Sequence, residues 1–248
     1  MPEPLNVLFE DNHCLAVAKP APLLTQGVPP GVPTLEAMVK AYLKEKYHKA
    51  GNVYLGIPHR LDRPVSGVVL FARNTKAARR LAEQFQQHQV RKVYWTVVDG
   101  DVSPAEGAWE DWLRKRAEEA RSEVVAADEP MARHAALAYR RLGGGPGWTS
   151  LEVEPRTGRM HQIRVQAASR GWPIRGDVLY GSPQPFGPPA ELPRERVIAL
   201  HGRALTFLHP IRYDPMTVTA PLPETWRGFL PVDATAQRPR ESPRESDS

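Results

Sequence analysis

The sequence predicts an α+β domain in which strands outnumber helices. Three observations carry that prediction. Short apolar or alternating runs of strand length, bounded by Gly, Pro, Asn or Asp, recur along the chain. Three longer stretches, near 34–48, 74–89 and 159–169, read as helices. Hydrophobic residues make up 41% of the 248 and charged residues 25%, the balance of an ordinary folded domain.

Asn6 to Phe9 and Cys14 to Ala18 are apolar runs separated by the turn-prone Glu10-Asp11-Asn12-His13, which predicts a hairpin. Pro20 to Pro33 is rich in Pro and Gly and ends at Thr34, a good N-cap. Leu35, Met38, Val39, Tyr42 and Leu43 then recur at helical spacing to about His48. The segment His59-Arg60-Leu61-Asp62-Arg63 leads into Val68 to Ala72, a continuous apolar run suited to a strand buried on both faces. Asn74 can cap a helix whose Ala77, Ala78, Leu81, Ala82 and Phe85 share a face and which ends near Gln89. Lys92 to Val98 alternates with the period of a strand. Ala135 to Leu142 and Trp148 to Val153 read as two more strands, joined by the turn-forming Gly143-Gly144-Gly145-Pro146-Gly147. Arg159 to Ser169 is a short helix stopped by Gly171 and Pro173. A proline-rich exposed loop over 182–193 precedes a last strand pair, Val197 to Leu200 with Ala204 to Leu208. One domain over 1–232 and a polar, disordered tail over 233–248 complete the expected layout.

Lys and Arg number 33 against 28 Asp and Glu, a net charge of +5 that suits a polyanionic partner and equally serves simple solubility. Cys14 is the only cysteine, which excludes an intrachain disulfide framework and multi-cysteine metal sites and predicts a reducing, intracellular setting. No signal-peptide pattern opens the sequence and no apolar run is long enough to span a bilayer, so a soluble cytoplasmic protein is expected.

Two charged clusters stand out. Asp62 lies between Arg60 and Arg63 on a turn before a buried strand, where positive neighbours would keep a carboxylate ionised and suited to nucleophilic work. The residues alone favour a structural Asp that accepts backbone N–H groups of its turn. In Thr157-Gly158-Arg159-Met160-His161-Gln162-Ile163-Arg164, a helix from Arg159 would turn Arg164 inward beside Met160 and Ile163, with Asp62 the obvious partner, while His161 and Gln162 point elsewhere. No zinc-protease pattern, nucleophile elbow or dinucleotide fingerprint is present, and His201 and His209 read as structural.

Taken together, these segments resemble the RluA-type pseudouridine synthases. The resemblance rests on HRLDRPVSG followed by VVLFARN, on Lys92-Val93-Tyr94, on TGRMHQIRVQ, and on PIRGDVLYG and LHGRALTFLHP, together with the opening hairpin from Asp11 to Lys19-Pro20. The blocks stand in the family order over roughly Val7 to Pro210. The chain departs from the family pattern at Val65, Met160 and Gln166, and in the Ala21-Pro22 that follows Lys19-Pro20.

The resemblance implies an α+β catalytic domain with a mixed, mostly antiparallel central sheet, flanking helices and an active-site cleft across the sheet. It implies isomerisation of uridine in structured ribosomal or transfer RNA, with no metal or other cofactor. Apart from the resemblance, no membrane, no obligatory protein partner and a monomeric enzyme are expected. Asp62 would be the catalytic carboxylate, Arg164 its ion-pair partner, and Tyr94 a ring packed on the detached base. Arg60 would fill the space left by the flipped nucleotide, with His59, Leu61 and Ile163 beside the substrate. Arg79, Arg80, Arg91 and Lys92 are candidates for phosphate contacts. The chain is expected to begin directly with the catalytic domain, without a small S4-type RNA-binding domain. Two rival readings remain: a catalytically silent RNA-binding protein on the same fold, and a glycosidic hydrolase with Asp177 as second carboxylate, a residue for which a turn role is expected.

Overall fold

The computed structural model describes residues 5–27, 32–116 and 118–229. The polar tail expected at 233–248 lies outside the described residues.

Among the described residues ten strands form one sheet: β1 (Asn6–Glu10), β2 (Cys14–Lys19), β3 (Ser66–Ala72), β4 (Arg91–Asp99), β5 (Glu106–Lys115), β6 (Ser122–Val125), β7 (Arg133–Gly145), β8 (Trp148–Pro155), β9 (Leu200–Leu208) and β10 (Pro215–Thr219). They lie in the order β1-β2-β3-β9-β4-β8-β7-β5-β6, with β10 also paired to β9. The β3–β9 pair is parallel, and the other pairs among the described residues are antiparallel. The fold is therefore the mixed, mostly antiparallel α+β sheet that the family resemblance implies.

Local chemistry starts each element. Asp11 Oδ1 accepts the N–H groups of His13 and Cys14, both at 2.7 Å, and so closes the β1–β2 turn. Thr34 Oγ1 accepts from Ala37 N at 3.1 Å and opens α1 (Leu35–Lys46). Asn74 Oδ1 accepts from Ala77 N at 2.9 Å and opens α2 (Thr75–Gln86). The β7–β8 turn is only Pro146-Gly147, with Gly147 at φ 75°, and the three preceding glycines belong to β7 itself.

The period of two along β2 and β3 divides their side chains between two cores. Leu15, Val17, Val69 and Phe71 face the core that holds Leu35, Val39 and Leu43 of α1. Cys14, Ala16, Val68, Leu70 and Ala72 face the core that holds Ala77 and Leu81 of α2. Helices thus cover both faces, which explains why β3 is buried at every position.

Three sequence expectations give way here. The last strand pair is not Val197–Leu200 with Ala204–Leu208: residues 200–208 are one strand, and its partner is β10. Strands β5 and β6 are additions. Asp111 occupies the inward position between Trp109 and Leu113 and is tied to Gln166 and Arg170, so it breaks the apolar alternation by which β5 would be recognised. The third helix, α3, spans Gln162–Ser169 and not 159–169, because His161 at its N-terminus is left-handed, with φ 54°.

Candidate active site

A cleft of about 580 Å³ lies over β9 and β4, in the middle of the sheet. One wall is the turn that carries His59, Arg60, Leu61 and Asp62; the other is Thr157 to Arg164, and Tyr94 and Leu200 form the floor between them. Proximity of the first wall to the floor depends on two glycines. At the parallel contact Gly67 pairs with Gly202, and a Cβ on Gly67 would stand 2.4 Å from the Gly202 backbone, with φ 131° besides. Leu61 is then held by buried Thr25, whose Oγ1 donates to Leu61 O at 2.9 Å and accepts from Leu61 N at 3.2 Å. Buried Lys19 donates to Leu23 O at 2.6 Å, Pro20 O at 3.1 Å and Arg63 O at 3.3 Å, which fixes the chain on the far side of Asp62.

Asp62 presents its carboxylate to the cleft with 36% of the side chain exposed. Among the described residues its oxygens accept no backbone N–H; the turn is closed by its own carbonyl, which accepts from Val65 N at 3.1 Å. Its polar neighbours are Arg164 Nη1 and His161 Nε2, each 3.4 Å from Oδ2.

Arg164 is turned inward, and its principal partner differs from the one expected. Nε and Nη2 lie 2.6 and 2.9 Å from the two oxygens of Asp177, a buried bidentate pair, and only Nη1 reaches toward Asp62. Burial works against the guanidinium charge, but Asp177 and then Asp62 outweigh it and hold the pKa above its ordinary value. The backbone of Asp177 does take part in turns, its N–H donating to Ile174 O and its carbonyl accepting from Tyr180 N, but its side chain serves Arg164 instead. Asp177 is 1% exposed and committed to Arg164, which removes it as the free second carboxylate of a hydrolase.

Tyr94 lies on the floor, its ring edge 3.7 Å from where a Cβ of Gly202 would be. Burial, and secondarily the negative Asp62, push its hydroxyl pKa up, so the group is a neutral phenol. Ile163 lines the cleft and is 6% exposed. Arg60 is exposed at the rim and makes no side-chain hydrogen bond among the described residues. His59 lines the cleft with its apolar face only: Nε2 accepts from Leu70 N at 2.9 Å and the ring stacks on Phe85. Burial, aided by Lys92, pulls its pKa down to about 3, which fits that acceptor role.

Of the four basic candidates for phosphate, Lys92 alone lines the cleft. Arg91 is paired with Glu154, Arg80 donates to Pro210 O at 2.7 Å, and Arg79 stands beside Glu83 on α2. His201 and His209 are structural. His201 Nδ1 lies 2.8 Å from Ser66 Oγ, while His209 Nε2 is 2.7 Å from Asp11 Oδ2 and its Nδ1 accepts from Ile211 N and Arg212 N.

His161 and Tyr180 are site residues to which the sequence did not point, and Asp177 entered only as a possible second carboxylate, not as the partner of Arg164. Tyr180 Oη lies 3.0 Å from His161 Nδ1, and its ring packs against the Arg164 guanidinium at 5.0 Å. The available signal was their presence in the TGRMHQIRVQ and RGDVLYG blocks; a regular helix through His161 hid it.

Residues 13–169 match a family described as RNA pseudouridylate synthase. The ribosomal large subunit pseudouridine synthase D of Xanthomonas campestris is 37% identical over 230 residues, spanning 89% of this chain and 67% of that protein. The transfer RNA pseudouridine synthase C of Salmonella typhi is 31% identical over 245 residues, 92% of each chain. A solved structure of human RNA pseudouridylate synthase domain containing 4 superposes with a TM-score of 0.72 at 22% identity over 88% of this chain and 89% of that one, a likeness of fold. The chain belongs to the RluA-type family of RNA pseudouridylate synthases.

Proposed function

We propose that this protein isomerises uridine to pseudouridine at one or a few sites in structured ribosomal or transfer RNA, with Asp62 as the catalytic carboxylate. The observation that carries the reading is a part-exposed aspartate that is the one carboxylate among the described residues lining the cleft. Arg164 belongs mainly to Asp177, Tyr94 is a neutral phenol and His59 a neutral acceptor. Asp62 is left as the carboxylate that faces the substrate space.

In the reaction the C1′–N1 bond breaks, the base turns, C1′ joins C5, the C5 proton leaves to water and N1 gains a proton. Atoms and electrons balance without an oxidant or a hydrolytic water, so the chemistry asks for no metal or organic cofactor. Asp62 serves either by bonding to the sugar or base or by taking a ribose proton to give a glycal. A uridine within folded RNA must leave its stack to reach Asp62, at a cost of a few kcal/mol. Arg60, exposed at the rim, fills the vacated stack, where a planar guanidinium both stacks and hydrogen-bonds. Tyr94 and Ile163 pack on the freed uracil, with Leu61 behind, and Lys92 offers a cation to the backbone. The net charge of +5 favours the RNA. A cytoplasmic, monomeric enzyme over residues 1–232, working without an obligatory protein partner, completes the proposal.

The test is release of tritium from C5-labelled uracil in unmodified transfer and ribosomal RNA transcripts. The wild type is expected to release label and Asp62→Asn none, while both bind RNA. Binding without release by either protein would leave a silent RNA-binding protein in place of the enzyme.

A further inference from the structure

Behind Asp62 runs a chain of polar contacts that the reaction as written does not use. His161 is 89% covered and offers two nitrogens to two different partners: Nε2 lies 3.4 Å from Asp62 Oδ2 and Nδ1 lies 3.0 Å from Tyr180 Oη. Tyr180 is in turn gripped by buried Ser122, the first residue of β6. Ser122 N donates to Tyr180 Oη at 2.8 Å, and Ser122 O lies 3.3 Å from the same oxygen. Ser122 Oγ also donates to Met160 O at 2.7 Å, holding the peptide that precedes left-handed His161.

The proton positions follow from this geometry. A neutral imidazole carries one N–H, and the nitrogen that bears it depends on what the other nitrogen meets. With the proton on Nδ1, the bare lone pair of Nε2 would face the Asp62 carboxylate, which is repulsive. With the proton on Nε2, His161 donates toward Asp62 and Nδ1 accepts from the Tyr180 hydroxyl, whose own lone pair accepts from Ser122 N. The single Tyr180 proton then has two acceptors within reach, His161 Nδ1 at 3.0 Å and Ser122 O at 3.3 Å, and the nearer is Nδ1. The charged groups around the ring are Asp62, Arg164 and Asp177; burial keeps His161 neutral against the pull of Asp62, and burial likewise keeps Tyr180 protonated.

We propose that Tyr180 and Ser122 are positioning residues that fix the Nε2–H tautomer of His161, so that His161 donates a hydrogen bond to Asp62 and aims its carboxylate into the cleft. The inference rests on Asp62 being the reacting carboxylate. Such contacts are often long in the free enzyme and tighten as the reacting complex forms. It also gives the β5–β6 hairpin a part in the chemistry, since Ser122 of β6 holds both Tyr180 and the Met160 carbonyl.

The test has one arm that needs no RNA. Histidine ring nitrogens are labelled with nitrogen-15, and the His161 signals are assigned by their loss in His161→Gln. Long-range nitrogen–proton spectra of the wild type at neutral pH are expected to show Nε2 protonated and Nδ1 bare; the opposite tautomer would overturn the proposal. In Tyr180→Phe the preference should weaken, with Asp62 alone left to favour it, and kcat for tritium release should fall roughly tenfold with KM within about twofold, as for a group that orients the reacting residue and does not bind RNA. Unchanged kcat in Tyr180→Phe also overturns it. If that variant does not fold, the wild-type spectrum still decides. If the wild type itself releases no label, the synthase reading falls, and the spectrum separately decides the hydrogen-bond chain.

Discussion

Arg164 stands between two carboxylates that differ mainly in their access to water. Asp177 is 1% exposed and takes two of the guanidinium hydrogen bonds, while Asp62 takes a single long one and keeps its face to the cleft. Removing the cation therefore harms the fold before it harms the chemistry. Arg164→Met should cost about 3–5 kcal/mol in urea unfolding, because Asp177 is left as a buried charge without its partner. Adding Asp177→Leu should return a large part of that stability while activity stays absent. Equal stability of Arg164→Met and wild type would show that the pair with Asp177 contributes nothing. The same geometry explains why spacing alone named the wrong partner. Asp62 and Asp177 are both far from Arg164 in sequence or in helical phase, and burial decides which of them is the close one.

Among the elements, the parallel contact of β3 with β9 controls the site. The edge of β9 is shared: its start pairs with β3 at Ser66 and Gly67, and from Ala204 onward it pairs with β10. The switch requires Gly67 and Gly202 to approach without side chains. Gly67→Ala adds a Cβ that meets backbone at 2.4 Å and strains φ, and each effect costs on the order of 1–3 kcal/mol. The expected result is a drop of several kcal/mol in unfolding free energy and loss of tritium release, since Asp62 lies five residues before Gly67. Thr34→Ala at the α1 cap gives the contrast: about 1 kcal/mol of stability and full activity at a temperature where it remains folded. A Gly67→Ala protein as stable as the Thr34→Ala protein would contradict this account of the junction.

For the whole molecule, buried neutral histidines link stability to pH. His59 and His201 are each pulled down to about 3, chiefly by burial, with Lys92 and Arg203 nearby adding to the effect. In the unfolded chain they titrate near 6.5. Below about pH 6.5 the unfolded state binds protons that the folded state does not, so stability is full above that value and is lost as pH falls toward 3. Urea unfolding at about pH 7 and pH 4.5 should show the lower stability at 4.5, and the difference should shrink in His201→Gln. No difference between the two pH values would mean that these rings are not held neutral. RNA affinity should likewise fall as salt rises, as expected for a protein of net charge +5 on a polyanion.

Elements whose stabilising interactions are local could be read from the order of residues alone. The β1–β2 turn is closed by Asp11, α1 and α2 are opened by Thr34 and Asn74, and β3 reads as a buried run because apolar residues occupy both its faces. The motif blocks also placed Asp62, Tyr94 and Arg164 in the family order, and these three do line one cleft. Tertiary structure decided what depends on long-range partners. Strand β5 hides an inward Asp111 that is tolerable only because Gln166 and Arg170 reach it, and β10 is a short strand recognisable only beside β9. His161 faces Asp62 because a left-handed residue replaces the regular helical turn that periodicity assumes, held there by Ser122 and Tyr180 from distant parts of the chain. Periodicity reports the burial of one segment against an average core; the identity of the group that meets a buried charge is set only when separate segments are packed together.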